Sequence, residues 1–313
     1  MKTLREWLNW AEEKQVAIGH FNVSDSEGFK AVVEGAKTVS AEAGYEIPVI
    51  VGVSEGEREF IGLKEIVALV HIARDNGLPV FINADHTYSV EKAKVAIDAS
   101  VDSVIIDFAN KSMEENVAAT KDVVAYAKSK GRTLSTDSQG STLGEVLVEA
   151  EIGFIGQSSK VLDVVPEGVS EATQTKPEEA KEFVAQTGID LLAPSVGNVH
   201  GIVKTGEPKL NIPRIQAIAD IVEVPLVLHG GSGNKDEEFT NAINAGVRII
   251  HINTELRLAY KEGLAEAVKS GEVAPYKFMQ AAVDDMKKVI VGRLKLFNKI
   301  PIPLEVQHTQ DAQ

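Results

Sequence analysis

Three histidines follow short apolar runs, in Phe81-Ile-Asn-Ala-Asp85-His86, Leu191-Leu-Ala-Pro-Ser-Val-Gly-Asn-Val-His200 and Pro225-Leu-Val-Leu-His229. A buried strand usually ends in a turn, and a turn needs no imidazole. Three imidazoles brought together can hold a zinc ion and leave its fourth position open to substrate, the arrangement of a catalytic site. Taken singly, each is as readily a loop or core histidine satisfied by a hydrogen bond. The chain has no cysteine, so any zinc ligands must be His, Asp or Glu.

Other polar residues recur at the same ends of apolar runs: Asn22, Ser54, Asp85, Asp107, Glu151, Asn253 and Thr254. Asp85 beside a metal-bound substrate can exchange protons as a general acid/base, or it can simply cap a turn. Gly230-Gly231-Ser232-Gly233 follows His229 and precedes a helical pattern. Small residues there let backbone N–H groups approach a phosphate, although such turns also occur without a ligand. Gly201 and Lys204, after His200, offer a further donor and a positive charge; a solvated surface lysine is the plain alternative. No apolar run ends in a lysine, which turns carbonyl chemistry away from a Schiff base and toward a metal.

The elements that must position these groups alternate strictly. Strands are predicted at Ala17–Val23, Pro48–Val53, Val80–Ala84, Ser103–Asp107, Val146–Glu151, Asp190–Ala193, Pro225–Leu228 and Val247–Asn253. Helices are predicted near Ser26–Ala43, Leu63–Asn76, Val90–Ala99, Met113–Lys130, Pro177–Thr187, Ile212–Val222, Lys235–Ala245 and Leu256–Lys269, with a further one from about Tyr276 to Asn298. Eight βα units suggest an α/β fold, a (β/α)8 TIM barrel with an additional C-terminal helix. A doubly wound open sheet is the runner-up, but no strand leads into Gly-x-Gly-x-x-Gly. One domain over 1–306 and a polar tail over 307–313 are expected. In a barrel, Arg132–Glu145 falls on the face remote from chemistry. Gly153–Thr175 falls on the catalytic face, as a lid or binding loop. A net charge of −14 argues against nucleic acid or an anionic membrane as partner. The amphipathic, acidic N-terminus does not read as a signal peptide, and a cytoplasmic location is expected.

Together, Asn83-Ala-Asp-His86, Ser195-Val-Gly-Asn-Val-His-Gly201 with Lys204, and Leu228-His-Gly-Gly-Ser-Gly233 resemble the class II, metal-dependent ketose-bisphosphate aldolases. So do Val49-Ile-Val-Gly-Val-Ser54, Val148-Glu-Ala-Glu-Ile-Gly153 and Asn253-Thr-Glu-Leu-Arg257, in family order from about Ala17 to Phe297. The resemblance implies reversible cleavage of fructose 1,6-bisphosphate to dihydroxyacetone phosphate and glyceraldehyde 3-phosphate, a carbon–carbon lyase reaction of glycolysis. It implies zinc stabilising an enediolate, and a monovalent cation as an additional cofactor. His86, His200 and His229 match the zinc ligands, and Glu151 an alternate or second metal site. Asp85 matches the residue that exchanges a proton with the C4 hydroxyl. Gly201, Gly230, Gly231, Ser232, Asn253 and Thr254 match the phosphate-binding set, with Lys204 near it, and Asn22 and Ser54 match substrate contacts. Arg293 resembles an arginine that binds the second phosphate from a neighbouring subunit, which implies a homodimer or homotetramer.

The sequence departs from the family pattern at three places. Gly156-Gln-Ser-Ser-Lys160 stands where an acidic stretch carries the C–H base, and counting puts a serine at the base position. Asp163, Glu167 and Glu171 lie further along, and Glu167 ranks first as catalytic base. His251 stands where an asparagine commonly contacts the reacting substrate, so either a catalytic contact or a packed histidine follows. Third, Arg132–Glu145 lengthens the connection before strand five. A tagatose-bisphosphate aldolase is the near alternative. A metal-dependent epimerase and a non-catalytic sugar-phosphate-binding barrel are remoter ones.

Overall fold

The computed structural model describes residues 1–130, 135–136, 142–156, 160–166, 169–204 and 209–301. Eight parallel strands close into a barrel in sequence order: β1 Ile18–Asn22, β2 Val49–Val53, β3 Val80–Thr87, β4 Ser103–Ile106, β5 Leu147–Ile152, β6 Leu191–Pro194, β7 Leu226–Leu228 and β8 Val247–Ile252. All eight predicted strands form, and no end moves by more than three residues. The predicted helices form as well. Among the described residues two more α-helices are present, Leu4–Lys14, which the sequence shows only as an amphipathic stretch, and Glu55–Ile61, with a 3-10 turn at Glu171–Thr173.

Each helix of Ser26–Ala43, Val90–Asp98 and Met113–Ser129 starts at a side chain that accepts a backbone N–H of its first turn, from Asp25, Ser89 and Ser112. Such caps contribute about 1 kcal/mol each. Pro177 and Pro213 sit just inside two others, where a missing N–H costs nothing. The main core lies between the barrel and this helical ring. A second, inside the barrel, is a layer of Ile18, Ile50, Phe81, Leu147, Leu191, Val227 and Ile249. Leu4, Trp7, Leu8 and Ala11 of the first helix pack under that layer and close the N-terminal end. Burying each large side chain contributes about 1.5–3 kcal/mol, which holds a helix too short to persist alone.

Strand alternation sets what lies above the apolar layer. Two residues beyond Ile18, Phe81, Leu147, Val227 and Ile249 come His20, Asn83, Glu149, His229 and His251, all buried. A polar layer thus crosses the barrel between its apolar floor and its mouth. Gly52 is the counterpart on β2, and a methyl group there would lie 2.1 Å from the His20 ring. Over the mouth, the connections after β5 and β6 pair through Val161–Leu162 and Ile202–Val203. Before β5, Ser135–Thr136 pairs with Thr142–Leu143. Glu145 at the end of this connection pairs with Arg5 of the first helix, placing it on the face remote from the mouth. Among the described residues no helix is long and apolar enough to cross a membrane. The expected tail, 307–313, lies outside the described residues.

Candidate active site

Asp85 and His86 are neighbours on β3, where a regular strand would turn them to opposite faces. The register between β3 and β4 slips between Ala84 and Thr87, and His86 takes φ +38°. A left-handed residue costs roughly 1–2 kcal/mol and re-aims the chain. Both side chains line the same cavity as a result. The buried Arg58 braces this bend, donating to the carbonyls of Val53 and Asp85 at 3.0 and 3.1 Å and to Thr87 Oγ1 at 3.2 Å.

The three predicted histidines converge. The His86 ring centroid lies 4.7 Å from that of His200 and 5.0 Å from that of His229. One ligand atom from each of His86, His200, His229 and Glu151 falls within 4.8 Å of the others. His86 and His200 are each oriented through Nδ1, 2.8 Å from Asp107 Oδ2 and from the Gly156 carbonyl respectively; His229 Nδ1 instead faces the fourth member of the cluster, Glu151 Oε2, at 2.8 Å. Oxygen partners on metal-ligating histidines fix ring orientation and raise basicity. His229 has a second partner, Glu149, whose Oε1 is 2.7 Å from its Nε2. Glu149 was not singled out from the sequence, yet it shares the two-residue period of Glu151 and so points inward too.

The charges follow. Burial opposes protonation of His86, but Asp85 and the hydrogen bond to Asp107 outweigh it and push the imidazole up to about 9. His229 is likewise raised, against burial, by Glu149 and Glu151. Burial, with His86 and His229 nearby, lowers His200 to about 3. Asp85 is held well below the carboxylate range: burial opposes ionisation, but the surrounding histidines and Asn22 overcome it. Burial raises Glu151. A buried group of carboxylates thus favours positive charge amid imidazoles, whether carried by protons or by a metal. Three nitrogens and a carboxylate oxygen are a donor set that zinc accepts.

The other predicted residues divide. Asn22, Gly201, Gly230, Ser232, Asn253 and Thr254 line one cavity with Asp85, His86, His200 and His251. Gly230 must be glycine: its φ is +60°, and a Cβ would meet the Val199 carbonyl at 2.3 Å. Gly231 donates to the His251 carbonyl at 3.2 Å, tying the loop to β8. Ser232 Oγ accepts from the Asn253 amide at 3.2 Å. Thr254 opens helix Thr254–Lys269, whose N-terminal amides and dipole suit an anion. Buried Asp85 Oδ1, His251 Nε2 and Asn253 Oδ1 have no hydrogen-bond partner. Such orphans are costly unless a ligand satisfies them.

His251 stacks on His20, the centroids 3.5 Å apart and the planes 3° from parallel. Ser54 lines an adjoining outer cavity with Tyr88, Asp107, Lys160 and Arg257. Lys204 turns outward instead, to Asp163 Oδ1 at 3.0 Å. Arg293 pairs within its own chain, with both oxygens of Glu255 at 2.9 Å and with Asp236 at 2.7 Å. Glu255 in turn accepts the Gly233 amide, so Arg293 supports the glycine loop. Glu167 lies outside the described residues.

Residues 2–300 match the model of the class-II fructose-bisphosphate aldolases. The chain belongs to that family. A fructose-bisphosphate aldolase of Geobacillus stearothermophilus is 38% identical over 94% of this chain and 96% of its own length. One from Staphylococcus aureus strain Mu50 is 37% identical with the same coverage. Among solved structures, the YdjI aldolase of Escherichia coli K12 superposes with a TM-score of 0.75 at 28% identity, covering 95% of this chain and 97% of that one. The class-II aldolases are metal-dependent carbon–carbon lyases, and the clustered histidines are the groups here that could hold the metal.

Proposed function

We propose that this aldolase cleaves fructose 1,6-bisphosphate reversibly to dihydroxyacetone phosphate and glyceraldehyde 3-phosphate, with zinc held by His86, His200 and His229. One observation carries the reading: His86 and His200 of the ligand cluster, Asp85 and the glycine loop with Asn253 and Thr254 line a single cavity, and His229 and Glu151 complete the cluster within 4.8 Å. When bound, the metal supplies electrophilic stabilisation of negative charge on substrate oxygens. Glu151 serves as an alternate ligand.

The protein's own groups do the rest. Gly201, Gly230, Ser232, Asn253 and Thr254 take one phosphate through amides and hydroxyls, while Gly231, its amide bonded to the His251 carbonyl, holds the loop in place for them. They fix the reacting carbons and supply binding energy remote from them. Asp85 is ionised and buried, with one oxygen held by Asn22 and the other accepting no hydrogen bond, His251 and His86 standing 3.6 and 3.8 Å from it. It takes the proton from the C4 hydroxyl as the carbon–carbon bond breaks, and returns it to the aldehyde oxygen in synthesis. His251 presents its ring to the substrate from the same cavity. Ser54 contacts the far end of the sugar. Glu167 serves as the C–H base in this reading, supported by its place in the connection after β5. Lys204 would join the phosphate site only by leaving Asp163. Arg293 would reach a neighbouring subunit only by leaving Glu255 and Asp236. We place the enzyme in the cytoplasm, as a homodimer or homotetramer.

The test is a cleavage assay on fructose and tagatose 1,6-bisphosphates, epimers at C4. Faster turnover of the fructose epimer supports the reading, a preference for tagatose moves it to the near relative, and no cleavage of either overturns it.

A further inference from the structure

Glu57 is neither a metal-cluster residue nor part of the cavity that holds Asp85, yet it joins three parts of the mouth. Its Oε2 accepts Asn22 Nδ2 at 2.9 Å and the Ser54 amide at 2.8 Å. Its Oε1 accepts Arg257 Nη2 at 2.7 Å. Asn22 Nδ2 also donates to Asp85 Oδ2 at 2.8 Å. These bonds form one series, Arg257–Glu57–Asn22–Asp85, running from the mouth to the buried carboxylate.

The polarity of the series is fixed. Ionised carboxylates only accept, so the Asn22 amide must present its N–H groups to Glu57 and Asp85 together. With Glu57 gone, the amide is free to turn its oxygen toward Asp85, and Asp85 Oδ2 then loses its donor. Its Oδ1, which accepts no hydrogen bond and has His251 Nδ1 and His86 Nε2 at 3.6 and 3.8 Å, would no longer be aimed by its twin. At the other end, Arg257 is half exposed, whereas Glu57 is buried. Arg257 lines the outer cavity with Ser54 and Lys160, and that cavity also borders Asp85 and His86. An anionic group on the substrate's far end would share the guanidinium with Glu57.

We propose that Glu57 is a positioning residue that aims Asp85 through Asn22 and takes its own placement from Arg257 at an anion-binding mouth. The inference rests on the reading that Asp85 carries the proton of the cleavage step.

That dependence sets the experiment. The metal-loaded enzyme is assayed for fructose 1,6-bisphosphate cleavage, for exchange of the dihydroxyacetone phosphate C–H proton with solvent, and for bound metal. Exchange does not use the C4 oxygen, so it does not need Asp85 to be aimed. In Glu57→Gln the Arg257 guanidinium claims the single amide oxygen and the side-chain NH2 faces Asn22, so the cleavage kcat is expected to fall by about 10–100-fold, as misplacement of an acid/base group does. Exchange and metal content should stay within about twofold. Arg257→Gln, at a half-exposed position that tolerates substitution, should lower cleavage in the same selective way but less. The double variant should lose less than the product of the two losses. Loss of exchange and metal in parallel with cleavage would make Glu57 merely structural and overturn the proposal. Unchanged cleavage in Glu57→Gln would overturn it too, and if that variant does not fold, unchanged cleavage in Arg257→Gln does so. Asp85→Asn separates the two levels. If it retains cleavage, the underlying reading fails; if it loses cleavage while Glu57→Gln does not, only the link through Asn22 fails.

Discussion

Glu149 gives the sharpest single perturbation of the proposed metal centre. It is 1% exposed, lies in the polar layer under the mouth, and does not line the substrate cavity. Its one described contact in the site is to His229 Nε2 at 2.7 Å. In Glu149→Gln the amide oxygen can still accept that hydrogen bond, so shape and bonding survive and only the charge is lost. The buried imidazole then loses a partner that favours its electron donation. Removing such an outer partner typically weakens metal binding ~10–100-fold, or ~1.4–2.7 kcal/mol. A charge-assisted hydrogen bond at this burial contributes on the order of 1.5–3 kcal/mol, the same range by an independent route. The assay is a competition titration of the purified protein against a chromophoric chelator at fixed neutral pH, with circular dichroism as the control for folding. Cleavage per bound metal should change little, because Glu149 does not line the substrate cavity. An affinity within about twofold of the parent, in a folded variant, would refute the reasoning that this carboxylate acts through His229.

Other outcomes follow from the same geometry. His229→Ala should lose both metal and turnover, and a variant that keeps stoichiometric metal would remove His229 from the ligand set. Because His86 is pushed up to about 9 in the metal-free chain, metal uptake at neutral pH must displace its proton. Affinity should therefore rise about tenfold per pH unit for each proton displaced, through the range in which His86 and His229 hold their protons; pH-independent affinity with proton-free uptake would contradict this. Gly52→Ala drives a methyl group into the His20 ring and should destabilise the fold by about 1–3 kcal/mol, read as a lower urea midpoint at unchanged slope.

Much of this was legible in the residues themselves. Eight β-branched runs alternating with helical patterns are enough for a closed parallel barrel, because each run is buried on both faces and reads as continuous apolar sequence. Polar residues at the same end of each run then had to share a mouth, which is how His86, His200 and His229 were brought together. What escaped was information held in pairs of elements. Helix Glu55–Ile61 is short, contains Gly56 and shows no apolar period, yet it carries Glu57 and Arg58 into the wall behind Asp85. The stack of His20 on His251 depends on the register of β1 against β8, which aligns these two residues. Arg293 resembles, in sequence, an arginine that serves a neighbouring subunit's phosphate; its pairs with Glu255 and Asp236 come from elements far along the chain and are not visible there. Glu149 is the instructive omission. Its two-residue spacing from Glu151 implies an inward side chain, and an inward carboxylate above an apolar floor demands a partner.

The central claim is that cleavage of the sugar bisphosphate depends on a metal held by the three histidines. The direct measurement is fructose 1,6-bisphosphate cleavage by the purified chain as isolated, after exhaustive chelation, and after zinc is restored. Turnover should disappear with the metal and return with stoichiometric zinc. Undiminished turnover by protein shown to be metal-free would contradict it.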